Sequence, residues 1–368
     1  MRILCVIDSL GSGGAQRQLV ELAMGFKNKG HEVSFLTYHY IPFYDHFLDN
    51  SRIVITCISE SNYLKRFIKI RSFIRRGKYD ALLSFLGAPN FICEVSGLPF
   101  RKWKLVVGER SANPNILRSF KLITFIWFHF LADYVVANSY TNLKIVRSIN
   151  PFLSDSKCRV ISNAVDFNRW RPSSDYVPRM EGRLRLVIAA SHQYLKNLNG
   201  LLTALSLLSI GERDKIIVEW YGDRLTEPFY DNSVVEAQSK IRTFGFEDLV
   251  LLRPATHDIT RIIQEADAIG LFSFYEGFPN AVCEGMACAK PVVCSKVSDL
   301  PNYLTYDSKL LCDPNEPQSI KQALSYLISL SNDRLIEIGS INEKIARDRF
   351  DREIIISNYL QLLNNRRT

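Results

Sequence analysis

The sequence predicts an α/β protein of two consecutive domains, each a doubly wound parallel sheet. Three observations predict it. Short apolar runs alternate with longer helical patterns through the first half, the alternation lapses once near residues 160–178, and it then restarts. A chain of 368 residues also suits two domains at roughly 100–200 residues each.

In the first half, residues 3–8, 33–38, 53–58, 81–86, 105–108 and 134–138 are short runs, mostly rich in Val, Ile or Leu, and read as buried strands. Residues 15–29, 63–78 and 116–131 have helix length and period. The lapse contains Asn163-Ala164-Val165-Asp166, Arg171-Pro172-Ser173-Ser174 and Pro178, which reads as a linker. Beyond it, residues 184–190, 216–221, 250–252, 268–272 and 291–294 read as strands. Residues 196–208, 233–242, 258–266 and 280–289 read as helices, and a last helical stretch, 319–330 and beyond, ends in 351–364. Strand and helix alternating in this way imply parallel sheets, which bind ligands at the carboxyl ends of their strands.

Composition narrows the class. Hydrophobic residues at 47% and charged residues at 23% exclude disordered and fibrous chains. No uninterrupted apolar run reaches 18 residues, which excludes an ordinary membrane-spanning helix. The start, Met1 to Asp8, meets an acid at once and reads as a first strand rather than a secretory leader. The eight cysteines form no CxxC pair, and Cys283, Cys288 and Cys294 have no fourth partner at a zinc spacing. They read as small buried hydrophobes in a reducing compartment. Charge is unevenly shared. Residues 1–171 carry 24 Lys/Arg against 12 Asp/Glu, whereas residues 172–368 carry 22 against 26. The first half is therefore expected to face something anionic.

Two segments carry chemistry. Asp8-Ser9-Leu10-Gly11-Ser12-Gly13-Gly14-Ala15-Gln16 joins the first strand to the first helix. It is neither GxGxxG nor a P-loop. Glycines there allow a close backbone approach, and the helix start offers N–H groups to an anion. A plain tight turn fits equally well. The stronger segment is Phe272-Ser273-Phe274-Tyr275-Glu276-Gly277-Phe278-Pro279-Asn280-Ala281-Val282-Cys283-Glu284. A strand ends at Ser273, a Gly/Pro loop carries Glu276, and a helix begins near Asn280 with Glu284 one turn inside it. Backbone N–H groups of Gly277, Phe278, Pro279 and Asn280 stand where a phosphate would be held, proline excepted as a donor. The two carboxylates are placed to accept hydrogen bonds from sugar hydroxyls.

On these residues the sequence resembles the family 4 glycosyltransferases, retaining enzymes of the GT-B fold. The resemblance rests on the spacing of Glu276 and Glu284, the following Met286-Ala287-Cys288-Ala289-Lys290-Pro291-Val292-Val293, and the Gly13-Gly14-Ala15 loop. Ala132-Asp133-Tyr134-Val135-Val136-Ala137-Asn138-Ser139 and Ile161-Ser162-Asn163-Ala164-Val165-Asp166 extend it over nearly the whole chain. It implies two Rossmann-like doubly wound domains facing a central cleft. Residues 1–172 would form the acceptor-side domain, with a C-terminal helix at 351–368 crossing back onto it, and 173–350 the donor domain. The pattern Ile354, Ile355, Tyr359, Leu360, Leu362 and Leu363 gives that helix an apolar face to bury.

The resemblance also implies a nucleotide-sugar co-substrate, a UDP-linked hexose or N-acetylhexosamine by base rate, with no cofactor and no metal. Glu276 would contact donor-sugar hydroxyls, Glu284 the ribose, and Gly13, Gly14 and residues 277–280 the diphosphate. Lys196, in Ser191-His192-Gln193-Tyr194-Leu195-Lys196-Asn197, would neutralise the leaving diphosphate. The family's arginine about five residues earlier is replaced by Ser191-His192, so Arg253 or His192 would stand in. Glu109 and Arg110 fall where the family places acceptor-side polar residues, although a surface ion pair is the plainer reading. The acceptor would be a lipid-linked glycan in O-antigen or capsule synthesis.

A basic helix at 63–78, with Leu64, Phe67, Ile68 and Ile74 in a stripe, and Trp103 among cations, suit an anionic membrane surface. The expected location is cytoplasmic, peripheral on the inner membrane face. Residues 120–130 are too short to span and are expected to pack on the sheet. Competing classes are a non-hydrolysing nucleotide-sugar epimerase, a catalytically silent subunit, and a nucleic-acid-binding protein. The last lacks any recognition motif, and the acidic second half opposes it.

Overall fold

The computed structural model describes residues 1–179, 182–223 and 231–364. These divide into two compact units, one of Met1–Ala164 with the C-terminal segment from Arg352, the other of Val165–Asp351. The last four residues of the expected 351–368 helix lie outside the described residues.

The first unit contains a parallel sheet of β1 (Arg2–Val6), β2 (Glu32–Thr37), β3 (Val54–Cys57), β4 (Ala81–Phe85), β5 (Lys104–Glu109), β6 (Tyr134–Ala137) and β7 (Cys158–Val160). Their order is β3-β2-β1-β4-β5-β6-β7. Successive residues of β1 serve opposite faces. Ile3, Cys5 and Ile7 pack with Leu19, Phe26 and Ile356, while Leu4 and Val6 pack with Ile70, Ile74 and Trp103. Both faces are covered by helices, which is why the strand reads as an unbroken apolar run. The helix Arg352–Asn364 buries Ile355, Ile356, Tyr359, Leu362 and Leu363 in the first of these clusters. Ile356 takes the place expected of Ile354, which stays exposed. Gly25 makes this possible, since a Cβ there would sit 2.1 Å from Ile356 Cδ1.

The second unit contains β8 (Leu184–Ala189), β9 (Ile216–Tyr221), β10 (Val250–Arg253), β11 (Ala268–Leu271), β12 (Val292–Ser295) and β13 (Leu311–Cys312), in the order β10-β9-β8-β11-β12-β13. Leu186 and Ile188 join one core cluster and Val187 the other. In each sheet the order reverses at the strand that comes first in sequence. Helices leave for opposite faces on either side of that strand, so the loops beyond its carboxyl end part and leave room.

The structure departs from the sequence reading in several places. The boundary falls between Ala164 and Val165, not at 172, because the segment read as a linker is packed. Gln18 binds both backbone groups of Ala164, whereas Trp170 is buried in a core cluster of the second unit. The expected helix at 116–131 is broken into a 3-10 turn Pro114–Arg118, a helix Phe120–Trp127 and a second 3-10 turn Phe128–Leu131. Ser119 caps the middle piece afresh through Leu122 N–H. That piece packs Phe125 against Phe91 of the helix Gly87–Ser96 and, as expected, buries Ile126 in the core cluster on the sheet face of Leu4 and Val6. Gly87–Ser96 escaped notice because Gly87 and Pro89 read as a turn, although proline is tolerated in a helix's first turn. Trp103 is core, 6% exposed, while Arg101 and Lys104 turn to Asp133. It is no interface residue. Among the described residues no helix is long and apolar enough to cross a membrane.

Candidate active site

The reversal at β8 puts the loop after β8 beside the loop after β11. β8 and β11 are direct neighbours through Leu186 with Ala268 and Val187 with Ile269. The first loop passes Ser191 and His192 into the 3-10 turn Tyr194–Lys196, and the second passes Ser273 and Glu276 into the helix Asn280–Ala287. They are stitched together. Phe274 N–H donates to Leu195 O at 2.9 Å, and the Tyr194 and Phe274 rings stack with centroids 5.1 Å apart. On this base Lys196 Nζ donates to Glu276 Oε1 at 2.6 Å, and Ser273 Oγ donates to the same oxygen at 2.6 Å. The lysine and glutamate side chains keep 19% and 13% of their exposure, so both are covered yet reachable.

Glu284 is buried on the helix Asn280–Ala287 that follows this loop. Gly285 allows the helix to lie close on β11, since a Cβ would come 2.5 Å from Ile269 Cγ1. Phe278 points its ring into the core against Tyr303 and Phe350, leaving its backbone to the loop. Ser298 Oγ donates to Gly277 O and holds that loop in place. Pro279 starts the helix without a side-chain cap, and Asn280 follows as its first residue.

The remaining candidates of this unit sort by their surroundings. His192 is buried, its N–H donating to Asp223 O at 2.9 Å and its ring stacked on Trp220. Ser191 Oγ accepts from Gln193 Nε2 at 2.7 Å. Asn197 is a structural cap. In left-handed backbone (φ 61°), its Oδ1 accepts Gly200 N–H while its Nδ2 donates to Pro314 O. Both ends of its amide are engaged inside the unit. Arg253 is exposed at the carboxyl end of β10, two strands from β8.

In the first unit, Gly13 and Gly14 are exposed at the start of the helix Gly14–Asn28, which also lacks a side-chain cap. Gln16 crosses the loop to Asp8 Oδ1 at 3.0 Å. Glu109 and Arg110 do not form the surface ion pair considered from sequence. Arg110 lies over the Phe85 ring and donates to Tyr359 Oη at 2.7 Å and to Asn163 Oδ1 at 3.2 Å. It ties the C-terminal helix to the end of β5. Glu109 is buried. Its Oε1 accepts from Asn90 Nδ2 at 2.9 Å and meets His129 Nε2 at 3.2 Å. Asn90, His129 and Glu94, which contacts His129 from its other side, went unnoticed in sequence. Asn90 and Glu94 sit on the missed helix, and His129 is hidden among aromatic residues. Among the described residues, no three His, Cys, Asp or Glu side chains gather as metal ligands would.

Residues 12–169 match the model of the glycosyltransferase family 4 domain, and residues 177–340 match that of the glycosyl transferases group 1. The chain belongs to the family 4 glycosyltransferases. Among the relatives of this family 4 chain is the N-acetylgalactosamine-N,N'-diacetylbacillosaminyl-diphospho-undecaprenol 4-alpha-N-acetylgalactosaminyltransferase of Campylobacter jejuni. It is 24% identical over 97% of this chain and 98% of its own. The O-antigen chain mannosyltransferase B of Escherichia coli is 28% identical over 55% of each chain. HepE of Anabaena, solved in complex with UDP and glucose, superposes with a TM-score of 0.85 over 99% of both chains at 18% identity. The fold is accordingly GT-B, and this family 4 member is a glycosyltransferase.

Proposed function

We propose that this glycosyltransferase moves a hexose or N-acetylhexosamine from a nucleotide-sugar, a UDP-sugar first among them, to a hydroxyl of a lipid-linked glycan. The product would belong to O-antigen or capsule synthesis, and the anomeric configuration would be retained. The observation that carries this reading is the Lys196–Glu276 pair at the reversal of the second sheet. An incoming diphosphate competes for the ammonium and frees Glu276 for the donor's sugar hydroxyls. Glu284 takes the ribose hydroxyls, and backbone N–H groups at the start of the helix Asn280–Ala287 hold the phosphates. Bond formation is between the acceptor oxygen and the anomeric carbon. The bond from that carbon to the diphosphate breaks, its electron pair leaves with the nucleoside diphosphate, and the hydroxyl proton passes to a diphosphate oxygen. Lys196 and the helix-start N–H groups stabilise the charge that develops, a role worth about 2.7–4 kcal/mol per donor elsewhere. No cofactor or metal is assigned a part.

The lipid-linked acceptor is supported by the substrate in the Campylobacter relative's name, a diphospho-undecaprenol glycan, and the O-antigen setting by the E. coli relative. UDP is supported by the HepE complex. Peripheral docking on the inner face of an anionic membrane is supported by the helix Tyr63–Arg76. It exposes Leu64 at 68% and Ile68 at 55% beside its cations, with Phe100 at 82% nearby. A groove of about 520 Å³ with Phe67, Ile68, Val95 and Leu98 in its wall runs alongside.

The test is a donor panel of UDP-glucose, UDP-N-acetylglucosamine, UDP-N-acetylgalactosamine and GDP-mannose, with and without undecaprenyl-diphosphate-linked sugars. Nucleoside diphosphate release that needs the lipid acceptor, persists in EDTA and gives a product of retained configuration by NMR is expected. Epimerised sugar formed without acceptor would instead identify an epimerase.

A further inference from the structure

Glu109 ends β5 within a chain of side chains gathered from four elements of the first unit. Ser84 Oγ of β4 donates to Asn90 Oδ1 at 2.6 Å, and Asn90 Nδ2 donates to Glu109 Oε1. His129 lies between two acids, with Nδ1 2.8 Å from Glu94 Oε1 and Nε2 3.2 Å from Glu109 Oε1. Ser84, Asn90, Glu94 and His129 are fully buried, and Glu109 is 6% exposed. Asn90 thus holds one oxygen of Glu109 by a hydrogen bond, and His129 Nε2 faces the same oxygen at ion-pair distance without hydrogen-bond alignment. The other, Oε2, accepts no hydrogen bond and is not sealed from solvent.

The backbone beside it is set with unusual care. Leu86 has φ 78° and ψ 149°, a conformation that suits glycine, at the start of the helix that supplies Asn90 and Glu94. Its N–H donates to Gly108 O, next to Glu109. Strain of this kind persists only where surrounding contacts fix it.

Two buried carboxylates flanking one imidazole favour a charged ring. Burial opposes that charge, but Glu94 and Glu109 outweigh it and raise His129 to about 10. The other ionisable groups in reach are Arg101 and the Cys93 thiol on the Glu94 side and Arg110 beside Glu109.

Resting on the sugar-transfer reading, we propose that His129, backed by Glu94, is a positioning residue. It fixes Glu109 through Oε1, so that Oε2 is presented as acceptor to a hydroxyl of the sugar substrate.

The experiment begins with histidine ¹⁵N-labelled full-length protein, the His129 signal being assigned by its loss in His129→Gln. An imidazolium at pH 8, when ordinary histidines are neutral, is expected, with its midpoint lowered by a unit or more in Glu94→Gln. A neutral His129 at pH 8 overturns the proposal whether or not a sugar donor has been found. In the transfer assay, KM for one of the two sugar substrates rises tenfold or more in Glu109→Gln, His129→Gln and Glu94→Gln, while KM for the other holds. Glu94→Gln retains the buried ring should His129→Gln fail to fold. Lower melting temperatures with both KM values unmoved would make His129 merely structural and overturn the proposal.

Discussion

At the scale of single residues, the second unit joins a cation and a carboxylate that lie 80 positions apart in the chain. Lys196→Ala and Glu284→Ala are each expected to lower kcat/KM by two to three orders of magnitude, corresponding to about 2.7–4 kcal/mol. Their melting temperatures should stay near the parent's, and a folded Lys196→Ala enzyme with near-normal turnover would remove the leaving-group argument. Asn197→Ala should behave in the opposite manner. It loses a helix cap worth about 1 kcal/mol and leaves Pro314 O without its amide donor, so stability falls while KM for the donor holds. His129 adds a pH dependence. Its folded value lies above the ordinary 6.5, so the stability it contributes is complete below about pH 6.5 and is lost as pH rises through about 10. Thermal melts of the parent across that window should decline more steeply than those of His129→Gln.

At the scale of elements, the candidate residues are displayed by loops that follow strands, while the strands and helices fix how near those loops approach. The helix Asn280–Ala287 shows this most directly. Its Gly285 lies against Ile269 of β11, and any side chain there meets the sheet. Gly285→Val should cost about 1–3 kcal/mol by overpacking and displace Glu284 with it. A chemical-denaturation midpoint checks the first, and a raised KM for the donor the second. Elements with strong periodicity were legible in the sequence: Ile216–Tyr221 appears with the bounds expected, and others shift by one to three residues. Those that failed had competing local signals. The 116–131 pattern was helical in period, yet Pro114 and Ser119 divide it, and the short strands Cys158–Val160 and Leu311–Cys312 offer too few residues to show a period.

At the scale of the whole molecule, charge follows the division into units. The first carries 25 Lys/Arg against 12 Asp/Glu and the second 21 against 26. Not every cation of the basic helix is available to a membrane. Arg75 donates to the carbonyls of Ser96, Leu98 and Phe100, Arg71 donates to Leu98 O, and Arg66 lies over the rings of Tyr38 and Tyr63. Lys65, Lys69, Arg76 and Lys78 are exposed, and each is worth about 1 kcal/mol beside an anionic leaflet. Changing these four to glutamine should release the protein from phosphatidylglycerol vesicles in sedimentation. The same change at Arg242, Lys309, Lys344 and Arg349 of the second unit should matter little. Binding of the parent should weaken as salt rises, because the attraction is screened over about 8 Å at physiological ionic strength. Equal sedimentation of the two variants would reduce the basic helix to a solvated face.

By itself the sequence determined two doubly wound sheets, because alternating apolar strands and amphipathic helices can bury both faces of a parallel sheet in few other ways. It also determined the carriers of the candidate chemistry in the second unit, since Glu276, Glu284 and Lys196 stand in local motifs whose spacing is readable along one dimension. Only the tertiary structure decided which of these meet. Lys196 reaches Glu276 because β8 and β11 are neighbours in the sheet, although two strands separate them in sequence. The same holds for the partners of two further candidates. Arg110 and Asn197 read as polar residues awaiting a ligand until Tyr359, Asn163, Pro314 and Gly200 are brought to them. His129 acquires two carboxylates from distant positions in the same way. A hydrogen bond acts within about 3 Å, and distance along the chain does not specify which side chains come that close.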